Sequence, residues 1–249
     1  EVPNVTARLA DALKFSGIIS ITYGVFCFML PNTPPKADAV EKLAFKKAFS
    51  LFNNKSFLVL VFASLGVSII HQIYFLQTGP FLSFIGIKDS SIGPAMTIGQ
   101  FAEIATMAYL GFFLKRLGFK KVITIGIMAY FARYAIFGTS ILPAWVMVVS
   151  QAFHGFCFAF FFAAGFIYVD KLADDDVRHS AQTVFGIIIF GGGPVVGGWL
   201  SGKLQEIYTV AGIFNYSNFW YTLAGMGLVT GILFFFFFNE QLKESTEKE

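Results

Sequence analysis

The chain has 249 residues, of which 33 are phenylalanine, and its 18 Lys+Arg and 15 Asp+Glu together only equal that number. Its 13% charged against 56% hydrophobic residues and its mean hydropathy of +0.68 leave too little charge to cover a water-facing surface, since soluble domains carry roughly 25%. That excludes a soluble globular enzyme, a disordered chain and a nucleic-acid module, and a net charge of +3 is too small to imply a polyanionic partner; the partner to expect is the lipid bilayer, not nucleic acid.

A helix crossing a hydrocarbon core needs about 20 mostly apolar residues. Seven stretches meet or approach that length: 15–30, 57–79, 93–114, 122–142, 144–169, 181–204 and 218–238. They are apolar on both parities and too long for barrel strands, so the chain reads as an all-α membrane protein of seven transmembrane helices. The first stretch is short, and Lys14 can snorkel to lengthen it. It lacks the basic start and small-residue cleavage site of a signal peptide. The chain opens on Glu1, not Met, and so reads as a piece of a longer chain or a processed product.

Residues 31–56 form the one long connection. Val40, Leu43, Ala44, Ala48, Leu51 and Phe52 recur at helical spacing with Lys42, Lys46 and Lys47 between them, the pattern of a basic amphipathic helix on a membrane face. The expected organisation is therefore 1–30 as the last helix of a preceding bundle, 31–56 as a linker, 57–238 as a six-helix bundle and 239–249 as a tail. Thirteen of the 18 Lys and Arg fall on one side of this topology, which makes that side, with the C-terminus, cytoplasmic.

In the second stretch a polar stripe, His71, Gln72, Tyr74, Gln77 and Thr78, precedes Gly79-Pro80, where the helix is expected to break. The next three stretches each hold one ionisable residue at depth: Glu103, Arg133 and His154. With His71, all four lie ~12–15 Å from the outer ends of their helices at 1.5 Å per residue. Ionisable groups inside a bilayer are costly and usually functional, and a shared level near the midplane suits a buried solute or ion site. Gln100 and Glu103 project from one helix face and offer donors and acceptors to a polar solute. Glu103 is a candidate proton site; the plainer reading pairs it with Arg133, the structural intramembrane charge. His71 and His154 serve either as protonation sites or as neutral donors.

His154 sits in a run of phenylalanines, whose rings either fill the bundle or stack on a planar solute. Farther on, Gly193/Gly197 and Gly198/Gly202 have the spacing of close helix contacts, and Gly191-Gly192-Gly193-Pro194 weakens the helix. The Lys-Ser/Thr ending of a phosphate loop is absent. Asp174-Asp175-Asp176 reads as a solvated turn, Cys27 and Cys157 as packing residues, and Phe234–Phe238 as lipid-facing filler. No metal site and no cofactor other than a coupling proton is expected.

The segment Gly111-Phe-Phe-Leu-Lys115-Arg116-Leu-Gly118-Phe-Lys120-Lys121 resembles the cytoplasmic signature of the major facilitator superfamily, with Lys115 where the signature has an acid. In that register the chain corresponds to helix 6 to helix 12 of a twelve-helix fold. Within the superfamily it is similar to the nucleoside:proton symporter family, through Gln100-Phe-Ala-Glu103, Arg133-Tyr-Ala-Ile-Phe137, the run from His154 to Phe162, Tyr168-Val-Asp-Lys171 and Arg178-His-Ser-Ala-Gln182. The resemblance implies nucleoside contacts at Gln72, Phe75, Gln100, Glu103 and Phe158, and a bacterial inner-membrane protein completed by an N-terminal helical bundle. The family carries an acid linked to proton coupling directly after the position of Phe158. Here that residue is Ala159, which leaves Glu103 and His154 as proton-coupling candidates. A sugar carrier of the same fold is the alternative within transporters. A seven-helix receptor or photosensor is the alternative outside them, although the last stretch has no lysine for a retinal Schiff base.

Overall fold

The computed structural model describes residues 5–32, 49–139, 142–174 and 177–240. They belong to two compact units, Glu1–Lys42 and Leu43–Glu249. The first unit holds helix α1, Val5–Cys27. Its end tightens into a turn in which Phe28, Met29 and Leu30 donate to the carbonyls of Val25, Phe26 and Cys27, so the helix stops before Leu30. The amphipathic helix expected within 31–56 falls largely on 33–48, outside the described residues. Asp175 and Asp176 of the acidic turn also lie outside them.

In the second unit a short 3₁₀ turn, Phe49–Asn53, leads into α2, Lys55–Phe84. Asn54 caps α2, its side-chain oxygen accepting from the backbone of Ser56 at 2.9 Å and Phe57 at 3.1 Å. The expected break at Gly79-Pro80 does not occur. Proline removes one donor from the ladder, and the helix survives that loss for another turn. The stop is Gly86 at φ 89°, where Gly86 donates to Ser83 and Ile87 to Leu82, both at 3.0 Å. This pair of bonds ties off the last carbonyls around a left-handed residue, the geometry that glycine adopts without strain.

Helical bonding then runs through α3, Asp89–Gly138, which Gly118 (φ 76°, ψ 169°) divides into two arms, 89–117 and 119–138. Helix α4, Ala144–Leu172, and helix α5, Arg178–Tyr208, follow. Each contains a wide π turn, at Cys157–Ala163 in α4 and at Ile188–Gly192 in α5. The Gly-Gly-Gly-Pro run thus loosens α5 without breaking it. A hairpin not foreseen in the sequence joins α5 to α6. Thr209–Val210 pairs antiparallel with Ile213–Phe214 across Ala211 (φ 50°) and Gly212 (φ 80°), two positive-φ residues that match the twist of the strands. Helix α6, Tyr216–Phe237, closes the described chain. Among the described residues five helices, α2 to α6, are long and apolar enough to cross a membrane.

Helix α6 packs on α3, α4 on α3, and the end of α5 on α2. The Gly193/Gly197 pair makes the last contact: a Cβ on Gly197 would lie 2.8 Å from the Ile69 carbonyl oxygen, and one on Gly193 would strike Ser68. Gly198 and Gly202 face open space and make no such contact. Trp220, Phe81, Phe137 and Tyr134 form one aromatic core around the start of α6. Phe234 and Phe238 are buried and stacked at 4.5 Å, one helical turn apart. Only Phe235, Phe236 and Phe237 of that run are exposed, which corrects its reading as uniform lipid-facing filler.

Candidate functional site

The four ionisable residues expected at one level converge on His154. Two close helix contacts put them there. A Cβ on Gly155 would sit 2.4 Å from the Ala102 carbonyl oxygen, and one on Gly99 would sit 3.0 Å from Cβ of His154. Glycine at both positions lets α4 lie directly on the first arm of α3, one residue from Glu103.

Around the imidazole, Arg133 Nη1 lies 3.2 Å from Nδ1, and Glu103 Oε2 lies 3.7 Å from Nε2. His71 stacks on the ring at a centroid distance of 5.5 Å and Tyr74 at 5.6 Å. His71 in turn takes a 2.7 Å contact from the hydroxyl of Tyr130. The expected alternative of a direct Glu103–Arg133 pair is thereby corrected: the histidine stands between the two charges. The first arm of α3 brings in the acid, the second arm brings in the arginine, and α4 threads its imidazole between them.

Arg133 is fully buried, and among the described residues it has no carboxylate ion-pair partner. Its charge rests on aromatic faces instead. The guanidinium carbon is 3.9 Å from the Tyr74 ring centroid, 5.2 Å from Tyr134 and 5.5 Å from Tyr130. Desolvated contacts of this kind are worth about 2 kcal/mol or more each. Nη2 donates to the Tyr134 hydroxyl at 3.4 Å, which donates to the Ile70 carbonyl at 2.9 Å. The Tyr74 hydroxyl donates to Oε1 of the fully buried Gln151 at 2.8 Å.

Among the residues implied as nucleoside contacts, Glu103, Phe75 and Phe158 gather beside His154. The Glu103 side chain retains 26% exposure, and Phe75 retains 44%. Phe75 meets His154 edge-on at 5.8 Å, while Phe158 is roughly parallel to it at 6.5 Å. Gln100 is exposed one helical turn before Glu103. Gln72 stands apart from this cluster: its Cβ would meet a Cβ on Gly197, so it packs toward α5. Gln77, from the same stripe, donates to Ser201 of α5 at 3.0 Å. Ala159 is fully buried, so the position where the family resemblance places an acid is packed inside the bundle. The result is a surface with one carboxylate, aromatic rings on either side of an imidazole, and a buried cation behind it.

The polar stripe brought in Tyr74, but the sequence did not single out Tyr130, Tyr134, Gln151, Gly99 and Gly155 as parts of this site. Part of their signal was present: Tyr130 precedes Arg133 by three and Gln151 precedes His154 by three.

Comparison with known proteins gives the family and the fold. The profile of the family described as Nucleoside H+ symporter matches residues 8–243. The chain is 32% identical over 240 residues to the putative nucleoside transporter YegT of Escherichia coli (strain K12), covering 91% of this chain and 56% of that protein. It is 29% identical over 238 residues to the xanthosine permease of the same organism, covering 88% and 56%. A crystal structure of a point mutant of the nucleoside transporter NupG superposes with a TM-score of 0.74 at 30% identity, over 86% of this chain and 57% of that one. The chain thus spans a little over half the length of the relatives it matches. It is an integral membrane protein, and it belongs to the nucleoside H+ symporter family.

Proposed function

We propose that the complete transporter moves nucleosides together with protons across the bacterial inner membrane by alternating access, and that this chain supplies one wall of the solute cavity. The observation that carries the proposal is the clustering of Glu103, Phe75 and Phe158 around His154 on a partly open surface. A nucleoside pairs a flat apolar base with a hydroxyl-rich sugar. Phe158 and Phe75 offer rings to the base, and Gln100 and Glu103 offer polar contacts to the sugar or to ring nitrogens. The xanthosine permease and NupG relationships support a nucleoside over a plain sugar.

In this reading both arms of α3 cross the membrane separately, because Gly118 turns the chain between them. With α1, α2, α4, α5 and α6 the two arms make seven crossings, equivalent to helices 6 to 12 of the twelve-helix fold. Segment 31–56 is the cytoplasmic linker, 57–238 the second bundle and 239–249 a cytoplasmic tail. A further helical bundle forms the facing wall. Glu103 takes up the coupling proton, since Ala159 has nothing to titrate.

The test is uptake of labelled uridine into cells or proteoliposomes by the protein made from its complete reading frame. Unlabelled nucleosides should compete and sugars should not, and a pH gradient should drive accumulation. Competition by sugars alone would replace this reading with the sugar-carrier alternative.

A further inference from the structure

We propose that Arg133 is a positioning residue: it fixes His154 as the tautomer protonated on Nε2, so that the imidazole presents a permanent N–H to the Glu103 carboxylate and does not itself carry the transported proton. The inference rests on the assignment of Glu103 as the proton site.

The Arg133 guanidinium is a donor-only group. It has five N–H donors and no acceptor. Nδ1 of His154, 3.2 Å from Nη1, therefore accepts. A proton on Nδ1 would aim one donor at another and place two positive groups in contact. With Nδ1 acting as acceptor, the ring's one proton sits on Nε2, which faces Glu103 Oε2 at 3.7 Å.

Neither partner is free to turn away. Arg133 is fully buried, lies over the Tyr74 ring at 3.9 Å and donates to Tyr134. The His154 ring plane is set by His71 at 15° and Tyr74 at 27° from parallel. The charged or titratable groups facing His154 are Arg133 from the second arm of α3, Glu103 from its first arm, and His71 and Tyr74 from α2. Of these only Glu103 can bear a negative charge, and its side chain keeps 26% exposure. Taken by itself, the Glu103–His154 contact suggests a histidine that shares the proton. Arg133 on the far nitrogen turns the histidine into a fixed donor instead. The 3.7 Å separation is longer than a hydrogen bond, which leaves the carboxylate room to swing between the imidazole and a bound solute.

The experiment is ¹⁵N NMR of the complete transporter, labelled at histidine and reconstituted in lipid bilayers. The chain has three histidines, His71, His154 and His179, and H154Q identifies the His154 signals by their loss. At about pH 7 the expected result is a protonated Nε2 and an unprotonated Nδ1. R133M removes the donor at similar side-chain length and should let the Nδ1–H or doubly protonated forms appear. R133K, which retains an N–H donor, should keep the parent tautomer. A parent spectrum with Nδ1 protonated overturns the proposal, whether or not R133M folds. An R133M spectrum identical to the parent also overturns it. These outcomes need no transport, so they stand even if the symport reading fails.

Transport supplies the second readout. Gln can place an amide N–H near the position of Nε2, so proton-driven accumulation relative to uridine exchange should be higher in H154Q than in H154L, whatever either substitution costs in overall uptake. Loss of proton-driven accumulation in H154Q, with exchange of uridine preserved, would show that the histidine carries the proton and would overturn the proposal.

Discussion

Gly155 lies against the backbone of Ala102 so closely that any side chain at 155 would penetrate it: a Cβ there would fall 2.4 Å from the Ala102 carbonyl oxygen and 2.7 Å from Thr106 Oγ1. Ala102 is the neighbour of Glu103, and His154 is the neighbour of Gly155. The separation of the two functional side chains is thus set by one backbone contact. Gly155→Ala must push α4 off the first arm of α3, because backbone atoms cannot rotate aside as a side chain can. Overpacking of this type costs about 1–3 kcal/mol. The expected outcome is a lower unfolding temperature in detergent together with weaker uridine binding. Gly198→Ala is the control, since Gly198 has nothing within 4 Å; it should leave both measurements within error or raise stability slightly.

Glu103→Gln should separate coupling from binding. Glutamine keeps the shape and the acceptor oxygen, but it cannot gain or lose a proton near neutral pH. Counterflow exchange of uridine should continue, while accumulation driven by an inward proton gradient should fall to the level set by equilibration. Normal accumulation in this variant would place the proton site elsewhere.

Phe158→Ala removes the ring offered to the base. Stacking of a nucleobase on an aromatic side chain is worth about 1–3 kcal/mol, so the KM for uridine should rise roughly 5- to 150-fold. Phe158→Tyr keeps the π face and should stay near the parent. Phe75→Ala tests the second ring in the same assay. A smaller effect is expected, because Phe75 is already committed edge-on to His71 at 5.0 Å and to His154 at 5.8 Å.

Much of this architecture was legible in the sequence, because a membrane helix announces itself by length and composition, and because a buried charge such as Arg133 stands out in an apolar run. The shared level of His71, Glu103, Arg133 and His154 followed from the fixed rise of the helix. Lateral arrangement was not legible. Depth says nothing about which residue of a layer lies between two others, so a direct Glu103–Arg133 pair stood as an alternative although His154 separates them. Family resemblance implied Gln72 as a nucleoside contact but could not show that its Cβ and Cγ lie against Gly197, because a helix face is fixed by what its neighbours admit. The helix end at Gly86 was hidden by the stronger local signal of Gly79-Pro80; the deciding bonds reach back from residues 86 and 87, beyond the proline. The hairpin at 209–214 lacks the usual alternating strand pattern and depends on two positive-φ residues, one of them an alanine.

Tyr74 performs two jobs that can be pulled apart. Its ring carries the Arg133 guanidinium at 3.9 Å, and its hydroxyl donates to Gln151 at 2.8 Å. Tyr74→Phe keeps the ring and deletes the donor, leaving the fully buried Oε1 of Gln151 without it. Stripping a buried acceptor of its partner costs about 1–2 kcal/mol, toward the upper end of what interhelical bonds in membranes contribute. Transport should survive, because the cation over the ring and the imidazole beside it are unchanged. Tyr74→Leu deletes the ring as well and removes the nearest of the three faces that hold the Arg133 charge. A buried guanidinium deprived of that face has no carboxylate to fall back on among the described residues, and the energetic loss should exceed that of Tyr74→Phe by the cation–π contribution of about 2 kcal/mol. Thermal unfolding of the two variants side by side measures that difference. Equal losses would mean that the ring contributes nothing beyond its hydroxyl, and that the buried charge is held by Tyr130, Tyr134 and His154 alone.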